Sequence, residues 1–149
     1  MDKVRKLVLT TWRPVLRKVT RMCCDAKVKN LVAFPEVNIG EGKLKYILAK
    51  VYVHGEMGQS KTVIRGVSRV KYHLDVYDQL QKEANKLDLC TQCLGGGIMV
   101  HDNDKHYIKI YGRSQTLGRA DHHEAREVLH EHDKYSSYKI DAESGGQDA

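Results

Sequence analysis

"LKYILAKVYVHGEMGQSKTVIRGVSRVKYHLDVYDQLQKEANKL", residues 44–87, changes its hydrophobic period once, and that change sets the fold class. Residues 44–54 have the aromatic and aliphatic density of a β-strand. "GEMGQS", 55–60, reads as a loop, and "KTVIRGV", 61–67, as a second strand ending at Gly66 and pairing with the first as a hairpin. Beyond it Val70, Leu74, Tyr77, Ala84 and Leu87 recur at the spacing of a buried helix face, with Ser68 as the expected N-cap. His73 then falls in the first turns of that helix, where unpaired backbone N–H groups and the helix dipole favour an anion.

On either side the chain continues in short elements. "FPEVNIGEGK", 34–43, is turn-rich at Pro35, Gly40 and Gly42. "CLGGGIMVH", 93–101, and "KHYIKIYG", 105–112, read as another hairpin around "DNDK". "RSQTLG", 113–118, is a polar loop leading into a second helix near Asp121–His132, and "KYSSYKI", 134–140, offers a last strand. Two helices interleaved with several strands imply one α/β (α+β) domain over residues 34–140, a mixed β-sheet flanked by the two helices. Residues 1–33 are expected as a basic extension outside its core, and "DAESGGQDA", 141–149, as a disordered tail. A chain of 149 residues can bury roughly two thirds of its unfolded surface as a single domain without disulfides.

The formal charge of +6 is unevenly placed. Residues 1–30 carry nine Lys or Arg against Asp2 and Asp25, while the rest of the chain carries 16 basic and 17 acidic side chains. The body is therefore near neutral, and a general nucleic-acid-binding domain is not expected. In the extension Val4, Leu7, Val8, Trp12, Val15, Leu16 and Val19 lie near one helical stripe interrupted by Pro14. Such a segment suits mitochondrial import or a membrane surface, or is a frayed appendage. No apolar run approaches the roughly 20 residues that cross a bilayer, so no transmembrane segment is expected, and the reading is a cytoplasmic monomer.

Cys23, Cys24, Cys90 and Cys93 include one C-x-x-C, "CTQC", without a second pair at zinc-ribbon spacing. His101 is the available third ligand, but reduced thiols fit the pattern better than a metal centre. Gly95, Gly96 and Gly97 point to a bulge or a close backbone approach, since no GK[ST] follows to make a nucleotide loop. "DHHEAREVLHEH" reads as a solvated helix face.

In this order and spacing, "KLKYILAKV", "VIRG", "YHLDVYD", "CLGGG" and "YGRSQTLGRADH" resemble the protein histidine phosphatase family, which includes the insect janus and ocnus proteins, over about residues 34–140. The insect members are the better match through "YGRSQ" followed by "ADH". The resemblance implies a compact mixed sheet flanked by two helices, acting without a metal cofactor on a phosphohistidine-containing protein or peptide. For janus-type members it also implies roles in sex differentiation and male germ-line expression. It makes His73 the catalytic residue and Lys45, Arg65, Ser114 and Thr116 the residues around the phosphate. An imidazole with a reference pKa of about 6.5 can attack phosphorus or take a proton from water near neutral pH. Lys45 and Arg65 would favour a phosphate oxyanion, and the loop N–H groups with the Ser114 hydroxyl would line a nest for it.

The family pattern also carries arginine directly after the triple glycine, where this chain has Ile98. One phosphate clamp is thereby apolar, with Arg113 on the next loop as a candidate substitute. Two functions of different class follow: a phosphohistidine phosphatase working through His73, or a diverged binding protein for phosphorylated or acidic partners on the same fold.

Overall fold

The computed structural model describes residues 26–143. The amphipathic stripe of the extension, Cys23, Cys24 and the tail from residue 144 lie outside the described residues. Residues 26–33 are helical (α1). They are followed by β1 Val37–Ile39, β2 Gly42–Val53, β3 Glu56–Val67, α2 His73–Asn85, β4 Leu89–Asp102, β5 Tyr107–Tyr111, α3 His122–Glu131 and β6 Lys139–Ala142. The strands form one sheet in the order β1-β3-β2-β4-β5-β6. β1 runs parallel to β3 and β5 to β6, while the inner pairs are antiparallel. The expected mixed α+β domain is present, with α1 as a third helical segment.

β2 sits at the centre and is apolar on both faces, as a strand covered on both sides must be. Ile47, Ala49, Val51 and Val53 pack with Val76, Leu80 and Ala84 of α2 and with Leu31 and Phe34. Leu44, Tyr46 and Leu48 point the other way, into a core with Ala125 and Leu129 of α3 and with Tyr135, Tyr138 and Ile140. No helix among the described residues is long and apolar enough to cross a membrane.

Several expected boundaries move. Residues up to 33 do not all lie outside the core, because Leu31 is 6% exposed and packs in the α2-side core. The 55–60 loop shrinks to a turn at His54–Gly55, since pairing of β2 with β3 continues to Val53 opposite Glu56, and Gly55 takes the left-handed backbone (φ 83°) that a tight hairpin needs. The last strand begins at Lys139, and Asp141 and Ala142, expected in the tail, pair with Lys109 and Ile110. Ser68 does not cap α2. Arg69 adopts φ 61°, which no helix tolerates, so the helix starts only after Tyr72. Tyr72 N donates to the Asp75 carboxylate at 3.2 Å and its carbonyl accepts from Asp75 N, closing the first turn. That later start selects Val76, Leu80 and Ala84 as the buried row, leaving Leu74 and Leu87 exposed.

Candidate functional site

The triple glycine lies where β4 leaves one partner for another. From Ile98 onward β4 pairs with β5, but at Gly96 it bonds to the loop after β5: Gly96 N donates to Gly118 O and Ala120 N to Gly96 O. That crossing requires glycine. Gly95 has φ 136°, and a Cβ there would stand 2.6 Å from the Arg119–Ala120 backbone. A Cβ on Gly96 would meet His73 Cδ2 at 2.9 Å and Ser114 Cβ at 3.2 Å, so the missing side chain is what lets His73 and Ser114 converge on the strand. The expected close backbone approach is borne out.

His73 opens α2 and is half-buried. Its Nε2 lies 2.8 Å from Gly97 O. A carbonyl can only accept, so Nε2 carries the proton of the neutral ring and Nδ1 holds the lone pair. The Cδ2–Nε2 edge faces the sheet, which turns Nδ1 away from it, and Nδ1 has no hydrogen-bond partner among the described residues. The ring is thus held by one nitrogen and available at the other.

Lys45 reaches the segment that leads into α2. It pairs across the sheet with Ile98, and its Nζ donates to the carbonyl of Lys71, two residues before His73. Ser114 is buried; its Oγ accepts from Leu117 N at 3.1 Å, which leaves its own proton to donate. The Ser114–Gly118 bridge folds the intervening residues into a small turn whose Gln115 and Thr116 N–H groups carry no hydrogen bond among the described residues. Thr116 itself is exposed. Lys45, His73 and Ser114 are thus brought to one place, with Thr116 at its rim and Ile98 opposite Lys45.

Arg65 is not brought there, which corrects the expected phosphate contact. It is 4% exposed, donating from Nη2 to Pro35 O at 2.8 Å and from Nη1 to Ile64 O at 2.9 Å, with its guanidinium carbon 5.2 Å from the Phe34 ring centroid. Nε faces Glu83 at 3.6 Å, about 15 Å along α2 from His73 at 1.5 Å per residue. Burial lowers its pKa, with Glu83 opposing. Arg65 ties the α1–β1 connection to the sheet and to α2.

A second histidine was missed as anything but solvated surface. His122 is 2% exposed, with Nε2 at 2.8 Å from Gly112 O and Nδ1 bonded to the Tyr46 hydroxyl. Desolvation by burial lowers its pKa, the bond to Gly112 opposing, and burial pushes the Tyr46 phenol far up. The signal was in the sequence: Asp121 caps α3 through His123 N and Glu124 N, which sets His122 on the same row as buried Ala125 and Leu129. The cysteines are otherwise engaged. Cys93 has its pKa raised by burial and faces Leu48 O and Gly95 O, whereas Cys90 Sγ lies 3.6 Å from His54 Nδ1. His101 packs edge-on to Tyr135 and tilted to Tyr138, with Nδ1 at 2.7 Å from Gly40 O, about 27 Å along the strand from Cys93.

Fold and site together define a class: a single α+β domain in which the first residue of a helix is held by a glycine carbonyl of the central sheet, beside a lysine and a buried serine. The chain belongs to the Janus/Ocnus family, whose family model matches residues 31–139. It is 41% identical over 128 residues to the sex-regulated protein janus-B of Drosophila pseudoobscura pseudoobscura, covering 86% of this chain and 87% of the relative. It is 36% identical over 118 residues to janus-B of Drosophila teissieri (79% and 84%) and 34% identical over 118 residues to that of Drosophila melanogaster (79% and 84%).

Proposed function

We propose that this chain is a janus/ocnus-type protein of sex-related function that removes phosphate from phosphohistidine in a protein or peptide, with His73 as the reacting group. The sex-related part is supported by the shared name of the janus-B relatives. The chemical part is carried by one observation: His73 is fixed through Nε2 to Gly97 O with its Nδ1 lone pair unpartnered beside Lys45 and Ser114. In the nucleophilic route Nδ1 bonds to phosphorus as the P–N bond of the substrate breaks, the released imidazole takes a proton, and water then frees phosphate from His73. In the base route Nδ1 takes a proton from the water that attacks phosphorus directly. Lys45, the Ser114 hydroxyl and the Gln115 and Thr116 N–H groups stabilise the phosphoryl oxygens in either route. The charge comes from protein groups, so the reading calls for no metal.

Ile98 favours a second reading, a binding protein with little turnover. It stands opposite Lys45 and can supply neither charge nor hydrogen bond to a phosphate. Replacing Ile98 by arginine separates the two. With the rest of the site competent, Ile98→Arg raises phosphate release from a phosphohistidine peptide, on the order of a hundredfold for one restored donor, and His73→Ala in the same background removes the gain. Binding of the peptide without release by either protein supports the second reading.

A further inference from the structure

Between the sheet and the segment that precedes α2 lies a cleft of about 180 Å³ walled by Val67, Val70 and Ile98 and rimmed by Lys43, Lys45 and Arg69. No carboxylate lines it. Lys43, Lys45, Arg69 and the neighbouring Lys71 form no ion pair among the described residues, whereas Lys61, Arg65, Lys82 and Lys105 each have a carboxylate within 4 Å. Of the acidic groups nearest in sequence, Asp75, four residues after Lys71, already accepts from Tyr72 N, and Glu41, two residues before Lys43, does not line the cleft and forms no ion pair among the described residues. Apolar exposure concentrates just after Lys71 in sequence. Of the four large hydrophobic side chains exposed among the described residues, Tyr72 (54%) and Leu74 (45%) flank His73.

We infer that this cleft is a docking site for an acidic segment of a partner protein that carries an aliphatic side chain among its carboxylates. The aliphatic group fills the Val67–Val70–Ile98 floor, and the flanking carboxylates meet Lys43, Lys45 and Arg69. Charge complementarity selects the sign, since unpaired cations around an apolar floor favour an anionic partner and disfavour a basic one. The floor selects a protein segment over a bare phosphate or polyanion, because free phosphate gains nothing from three aliphatic walls. In this arrangement Ile98 is part of the partner's seat. A segment docked here presents a phosphohistidine to His73. That last step alone rests on the reading above, whereas the docking does not require turnover.

The test uses the full chain and a fluorescent peptide of alternating glutamate and leucine, compared with polyglutamate of equal length, a glycine-serine-leucine peptide and phosphatidylserine vesicles. The glutamate–leucine peptide should bind more tightly than either control peptide and shift the methyl resonances of Val67, Val70 and Ile98. Its affinity should fall as salt rises. The double substitution Lys43→Gln with Arg69→Gln should weaken it about tenfold, a loss in keeping with two contributing rim charges. The same binding should survive His73→Ala, which separates loss of the dock from loss of the phosphatase reading. Equal binding of polyglutamate, affinity unchanged by the double substitution, or unmoved cleft methyls would overturn the inference, since the basic residues 1–30 would then carry the interaction. Vesicle binding that is lost with the double substitution, in the absence of peptide binding, would make the cleft a lipid site and overturn it equally.

Discussion

The Gly97 carbonyl oxygen accepts from His73 Nε2 at 2.8 Å, while the opposite side of the same residue faces His122 so closely that a Cβ would stand 2.8 Å from His122 Cε1. One glycine therefore couples the half-buried histidine on the α2 face to the buried one on the α3 face. Gly97→Ala should cost about 1–3 kcal/mol through overpacking against Tyr46, Tyr111 and His122. It should also displace the carbonyl that sets the His73 tautomer. Urea denaturation reads the first effect, and ¹⁵N shifts of the His73 ring read the second. An alanine variant with unchanged stability and an unchanged ring would mean that the strand has room the structure does not show.

Acid should destabilise the protein through His122. Burial holds its pKa below 6.5 in the folded chain, while the unfolded chain titrates near that value. Between the two the unfolded state binds the extra proton, so the contribution is full above 6.5 and is lost as pH falls through the lower folded value. His122→Gln should cost about 1–3 kcal/mol near neutral pH by disturbing the bonds to Tyr46 and Gly112. It should also flatten the decline in stability as pH falls below 6.5. A decline as steep as in the unsubstituted chain would place the acid sensitivity elsewhere.

Arg65 and Lys45 should part company. Arg65→Gln leaves the Pro35 and Ile64 carbonyls without their buried donor and should cost about 2–4 kcal/mol, with little effect on phosphohistidine-peptide affinity once folded. Lys45→Gln should change stability by less than about 1 kcal/mol and weaken that affinity. Thermal melts paired with peptide titrations distinguish the two, and the reverse pattern would return Arg65 to the site.

Leu31 should behave as a core residue although it precedes the expected domain boundary. Leu31→Ala should cost about 2–4 kcal/mol, against less than about 0.5 kcal/mol for Val32→Ala, whose side chain is 71% exposed. Equal effects would put α1 outside the cooperative unit.

What the sequence made legible follows from what periodicity encodes. Aromatic and aliphatic density in residues 44–54 marked a strand, and the glycine run announced the close approach that admits His73. Periodicity says which face a side chain takes and not what its far end meets. Arg65 does lie on the α2 face, directly opposite Ile47, but its guanidinium reaches carbonyls presented by a helix-to-strand connection whose path no residue pattern announced. The left-handed Arg69 that delays α2 has no compositional signature either, since it is neither Gly nor Asn. His122 was legible in principle, through the cap that precedes it, but a run of four charged or histidine side chains, Asp121 to Glu124, masked its one buried row.

Phosphate release from a phosphohistidine peptide, followed by ³¹P NMR, tests the account most directly. The unsubstituted chain should release inorganic phosphate, and His73→Ala, folded to the same stability, should release none above the peptide's own hydrolysis. Release by His73→Ala at the unsubstituted rate would contradict the assignment of His73, and absence of release from both the unsubstituted chain and Ile98→Arg would contradict phosphatase chemistry on this fold.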